Sequence, residues 1–90
     1  MITLEKVKEY LTEMCCKDTV ILENPSYETA IIGISDDDRL IYDYDLMAEY
    51  LVNNDNMTLE EAYEFVDYNT IRALAYMGYK APIIKQNLEL

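Results

Sequence analysis

Carboxylates are the side chains present in the number and spacing to do chemistry. Asp45 and Glu49 stand four apart, and Glu60, Glu64 and Asp67 follow at intervals of four and three with Glu61 beside them. On a helix such intervals place side chains in rows with neighbours about 5 to 6 Å apart, near the scale of phosphate spacing along a nucleic-acid strand. A protein carrying these rows can compete with nucleic acid for a basic groove. Asp36, Asp37 and Asp38 add three consecutive carboxylates ahead of them. The plainer reading is that outer helix faces need charge for solubility. Against it, residues 36–67 hold eleven acids and Arg39 as their one base, whereas a merely solvated face mixes signs and gains from opposite-charge pairs. Tyr42, Tyr44, Tyr50, Tyr63 and Tyr68 interleave the same stretch. Exposed tyrosine is a favoured interface anchor, although Tyr50 and Tyr63 are spaced for the core.

Other chemistry finds little support. The chain has no histidine for acid and base work near neutral pH, and Gly33 and Gly78 form no phosphate-cradling loop. Ser26 and Ser35 fall in expected turns without a base, and Cys15 and Cys16 have Lys17 as the nearby cation that could depress a thiol pKa. The two cysteines are adjacent, which suits neither a disulfide across the fold nor a zinc or redox motif. Asp36 to Asp38, or Asp43 and Asp45, offer oxygen ligands for calcium or magnesium, but a calcium loop begun at Asn53 would put Met57 and Leu59 at ligand positions and Thr58 where the turn needs glycine. No enzyme, metal site or cofactor is expected.

The 90 residues carry 18 acids and 7 bases, a net charge of −11. That charge disfavours direct contact with DNA, RNA or an anionic membrane and favours a protein partner with a basic surface. Its distribution is uneven: residues 1–35 hold six acids and three bases, and residues 68–90 three bases and one acid. No apolar run approaches the roughly 20 residues of a membrane span, and no basic then apolar leader opens the sequence. A reducing cytoplasm is the expected location.

The elements that must position the carboxylates follow from pattern. Thr3 caps a helix over 3–17 with Leu4, Val7, Leu11 and Met14 on one stripe. Residues 19–23 and 27–35 read as strands joined at Asn24-Pro25-Ser26, the second with Ala30, Ile32 and Ile34 on one face. Residues 40–42 form a third strand beyond an acidic hairpin tip. Asp43 caps a second helix with Leu46, Met47, Tyr50 and Leu51 inward. Thr58 and Glu61 make a capping box for a third helix to about Tyr68, with Leu59, Ala62, Tyr63 and Val66 inward. Asn69 caps a further short segment ending at Gly78, and residues 82–85 read as a last strand. The expectation is one α+β domain over 1–90: a small antiparallel sheet of three to four strands against three to four helices, in the order α-β-β-β-α-α-(α)-β. Arg72, a lone arginine after the acidic belt, is expected to form a salt bridge with Glu64, Asp67 or Asp43.

Residues 30 to 85 also resemble a group of short acidic proteins of phages, mobile elements and gut Firmicutes. The likeness is carried by Tyr42-Asp43-Tyr44-Asp45, by Met57-Thr58 through Ala62, and by Asp67-Tyr68-Asn69-Thr70-Ile71-Arg72-Ala73-Leu74. It departs from the group at Ala75, where the group carries proline. What the resemblance implies is an inhibitor of host defence, similar to anti-CRISPR proteins, that blocks the positively charged channel of a nuclease. Asp45, Glu49, Glu60, Glu61, Glu64 and Asp67 would supply the docking charge, with Asp36, Asp37 and Asp38 as a second contact. The alternative is a housekeeping interaction module that forms homo-oligomers through apolar and tyrosine surface while the acids keep it soluble.

Overall fold

Local capping chemistry starts the first helix where the sequence places it. The Thr3 hydroxyl accepts from the Lys6 amide at 3.2 Å and caps α1, Leu4–Glu13, whose Val7 and Leu11 are buried one turn apart. The computed structural model describes residues 3–14 and 18–88. Cys15, Cys16 and Lys17, on which the cysteine expectation and the end of the 3–17 helix fall, lie outside the described residues. Met14, expected on the inward stripe, is 59% exposed, because α1 ends at Glu13 and Met14 only closes its last turn. Two polar ties hold α1 to the chain that follows: the Leu4 amide donates to the Glu28 carboxylate at 2.8 Å, and Lys8 pairs with Glu23 at 2.7 Å.

Residues 19–23 do not form the expected strand. Their polar groups are satisfied one at a time: the Val20 amide reaches the Lys80 carbonyl, the Leu22 amide the Tyr42 hydroxyl and the Thr19 hydroxyl the Asp38 carbonyl. A β-branched run can be held this way without a ladder when one residue, here Leu22, is buried. Tyr27 takes a left-handed backbone at φ 48°, and Glu28–Ala30 make a short 3-10 turn, so β1 begins only at Ile31 and spans Ile31–Ile34.

β1 pairs antiparallel with β2, Leu40–Asp43, in the register Ile31 with Tyr42 and Gly33 with Ile41. Ile32 is the extra residue of a bulge, which shifts the alternation. Ala30 is buried from the preceding turn and Ile31 from the strand, while Ile32 is 43% exposed, in place of the expected shared face of Ala30, Ile32 and Ile34. β3, Ile83–Lys85, pairs with the other side of β2 and runs parallel to it, Ile41 beside Ile83 and Asp43 beside Lys85. The sheet is thus three-stranded and mixed, order β1-β2-β3, where an antiparallel sheet is the expectation. A hairpin forces antiparallel pairing, whereas the long helical connection from 44 to 82 leaves β3 free to lie parallel.

That connection begins with α2, Tyr44–Asp55, capped by Asp43, whose carboxylate accepts from the Leu46 amide at 3.0 Å. Met47, Ala48 and Leu51 are fully buried, and Asn56 ends the helix at φ 55°, a conformation asparagine tolerates. α3, Leu59–Phe65, has both bonds of the capping box: the Thr58 amide donates to Glu61 at 3.0 Å and the Glu61 amide to the Thr58 hydroxyl at 3.2 Å. Replacing Thr58 by alanine is expected to cost about 1 kcal/mol, read as a lowered urea midpoint with unchanged slope. Ala62 and Val66 face inward, while Leu59 is 53% exposed, its place in the first turn lying beyond the neighbouring elements.

Asn69 does not cap a new helix. The chain passes from α3 into a π-helical segment, Val66–Ile71, and on to a 3-10 turn at Leu74–Tyr76, before Gly78 at φ 83° ends the run. Helix α2 packs on α3, on the 28–30 turn and on β2. The core between them includes Tyr27, Tyr42, Met47, Leu51 and Val66, each under 2% exposed. The architecture is α+β.

Candidate functional site

At the hairpin tip, the Ser35 amide donates to the Arg39 carbonyl at 2.8 Å and the Asp38 amide to the Ser35 carbonyl at 3.0 Å, with Asp38 at φ 61°. This is a three-residue hairpin loop whose left-handed position is filled by an aspartate. Asp36, Asp37 and Asp38 are exposed but not equally available. The Asp37 carboxylate accepts from the Ser35 hydroxyl and lies 3.8 Å from Arg39, which holds its carboxyl below the ordinary value. Lys80 donates to the Asp37 carbonyl, so two cations attend the tip. The tip stands at one end of β2 and α2 starts at the other, roughly 13 Å of strand away. The structure therefore does not gather Asp36 to Asp38 around Asp45 at the start of α2.

Asp45 and Asp67 are brought together through two tyrosines. The Tyr63 hydroxyl donates to Asp45 at 2.7 Å and the Tyr44 hydroxyl to Asp67 at 2.8 Å, a crossed pair between α2 and the α3 run. Their rings meet with centroids 5.1 Å apart and planes at 38°. Tyr63 is half-buried and packs against the core as its spacing suggests, while its hydroxyl bridges the helices. The Asn87 amide also donates to Asp45, at 2.8 Å, and to Asp43 at 3.3 Å, while Lys85 approaches Asp43 at 3.9 Å. The Asn87 and Tyr63 bonds hold the Asp45 carboxyl below its ordinary value.

Glu61 serves the capping box, whose Thr58 bonds lower its pKa. Glu49, Glu60 and Glu64 differ: they are exposed and form no hydrogen bond or ion pair with any described residue. Neither α2, α3 nor the π segment contains Lys or Arg. Arg72 does not make the expected salt bridge. Its guanidinium lies over the Tyr68 ring one turn away, 4.7 Å from the centroid, while Asp67 holds Tyr44, Asp43 faces Lys85 and Glu64 is left without a partner among the described residues. The sequence places Tyr44 and Tyr63 in the acidic stretch but not as the residues that orient Asp67 and Asp45, and it gives no sign of Asn87. Asp45 to Tyr63 spans 18 residues, so no local pattern marks it.

Burial raises the Tyr27 and Tyr42 phenols above 10.0, and burial together with the Asp67 carboxylate pushes Tyr44 up to about 12. A phenol harder to ionise in the folded chain lends stability that is intact below pH about 10 and is lost as pH rises through its folded value. Asp37, Asp45 and Glu61 shift downward from 3.8, 3.8 and 4.5, so their contribution is present above those values and is lost as pH falls. The unfolding temperature is expected to be flat from about pH 5 to 9 and to fall on both sides. Asp67→Asn should bring the Tyr44 phenol down, which a pH titration of carbon-labelled tyrosine rings measures.

No group of three or more His, Cys, Asp or Glu among the described residues is arranged to hold a metal ion. No helix among them is long and apolar enough to cross a membrane. What the site can do is present carboxylates on adjacent helices: three without partners among the described residues and two oriented by tyrosine hydroxyls. The chain matches no protein-family model, no curated protein and no solved structure.

Proposed function

We propose that the chain is a non-enzymatic inhibitor, of the anti-CRISPR kind its sequence resembles, which acts in the cytoplasm by occluding a basic nucleic-acid-binding surface of a nuclease. The observation that supports this reading is that Glu49, Glu60 and Glu64 stand exposed, with no partner among the described residues, on helices that carry no cation. Solubility alone does not need such repulsion to go uncompensated. Asp45 and Asp67, fixed by Tyr63 and Tyr44, extend the docking face with less loss of side-chain freedom on binding. Asp36 to Asp38 provide a separate contact, weakened by Arg39 and Lys80 beside them.

The test is order of addition. RNA-guided nucleases are mixed with the purified chain before or after loading with target DNA, and cleavage and DNA retention are followed across a salt series. A competitor for the basic groove blocks the unloaded enzyme more strongly than the loaded one and weakens with salt. Equal inhibition in either order, with no salt dependence, would overturn the reading.

A second reading rests on Tyr76 and Tyr79, which are 91% and 76% exposed. Self-association through them would make the acidic face a solubility device. Light scattering across protein concentrations separates the two, since a constant monomer mass removes self-association.

A further inference from the structure

The junction of α3 with the π segment forms an open surface notch of about 350 Å³ lined by Met57, Glu61, Glu64, Phe65, Tyr68 and Asn69. Its floor is apolar, from the half-buried Met57 and Phe65. Its wall carries two carboxylates one helical turn apart, and Glu64 has no partner among the described residues. At the rim stands Tyr68, 60% exposed, whose ring already holds a guanidinium from within the chain, that of Arg72. A π-helical turn is rare and occurs disproportionately at functional sites, and here the segment that carries Tyr68 and Asn69 is π-helical.

We infer that this notch takes an arginine side chain of the basic partner. The inference rests on the docking role proposed above and names its anchor. The alkyl stem of an arginine covers Phe65 and Met57, and its guanidinium meets the Glu64 carboxylate and the free oxygen of Glu61. One face of the Tyr68 ring already carries the Arg72 guanidinium, so the incoming guanidinium plane stacks on the opposite face. Lysine fits the charge but not the rest: its ammonium is a compact point charge that neither stacks nor bonds in a fork. Asn69 supplies a side-chain carbonyl at the edge for a remaining N–H. The surrounding negative charge attracts any basic peptide, whereas the notch selects among them.

Hexa-arginine and hexalysine peptides, titrated into the nitrogen-labelled chain at matched ionic strength, test this. Arginine is expected to bind more tightly, with amide shifts centred on Glu64, Phe65, Tyr68 and Asn69. Tyr68→Ala should weaken the arginine peptide by about three- to tenfold while changing the lysine peptide by less than about twofold, and Glu64→Gln should weaken both, arginine more than lysine. Tyr68→Phe, which keeps the ring face, should retain the preference. An unchanged spectrum away from the notch shows that each variant is folded. Equal affinity for both peptides, with shifts spread over the acidic helices, would overturn the arginine site and leave the docking role standing. If neither peptide binds, both fall.

Discussion

Replacing Glu49, Glu60 and Glu64 together by lysine is expected to slow association with the basic partner proposed above by at least about tenfold, because docking through this face would make these charges steer the encounter. The three positions are chosen by what the structure leaves idle. Each is exposed and without a partner among the described residues, so reversal removes no contact of the fold. Asp45 and Asp67 carry comparable charge, but their loss would also release the Tyr63 and Tyr44 hydroxyls and confuse docking with folding. Each reversal adds two units, taking the net charge from −11 to −5. The salt dependence of the association rate should flatten in step, since fewer charges remain to be screened. Surface plasmon resonance against a nuclease that the order-of-addition test shows to be inhibited, at two ionic strengths, measures both quantities. An unchanged rate with an unchanged salt slope would mean that this face does not meet the partner.

The same distinction between idle and employed carboxylates marks the limit of what could be read from sequence. The excess of acid from Asp36 to Asp67 is a matter of counting and needs no structure. So are the caps at Thr3, Asp43 and Thr58, because each cap closes within three residues. Which acids remain free is a different kind of fact. It depends on Tyr44 reaching Asp67 across 23 residues and on Asn87 reaching Asp45 across 42. The bulge at Ile32 was hidden for a like reason: strand alternation is a local pattern, but its phase is set by pairing with β2. The parallel placement of β3 depends on a connection of some forty residues, and the π turn has no compositional mark in Val66–Ile71. Arg72 shows the weakness of reading charge alone, since it lies over the Tyr68 ring although Glu64 has no partner among the described residues.

Tyr27→Ala is expected to be the most damaging single change in the fold, costing about 3 to 5 kcal/mol, a large part of the roughly 5 to 15 kcal/mol that holds a domain of this size together. Tyr27 is 1% exposed, its ring lies 5.7 Å from that of Tyr50, and its hydroxyl meets the Thr70 hydroxyl at 2.7 Å inside the π segment. It does this from a backbone at φ 48°, where an L side chain other than asparagine or aspartate is disfavoured by about 1 kcal/mol or more. Burial must therefore outweigh a local cost, and a second variant separates the two. Tyr27→Gly loses the same ring but relieves the backbone, so it should be about 1 kcal/mol less damaging than alanine, the reverse of the usual order outside left-handed positions. Tyr27→Phe keeps the ring and strands the Thr70 hydroxyl, at a cost of about 1 to 3 kcal/mol, and adding Thr70→Val should restore part of it by removing the stranded group. Urea unfolding of the four variants gives the series. If glycine proves worse than alanine, backbone conformation at Tyr27 is not under strain. If Thr70→Val adds to the loss, the buried hydroxyl pair is not what couples this residue to the π turn that carries Tyr68.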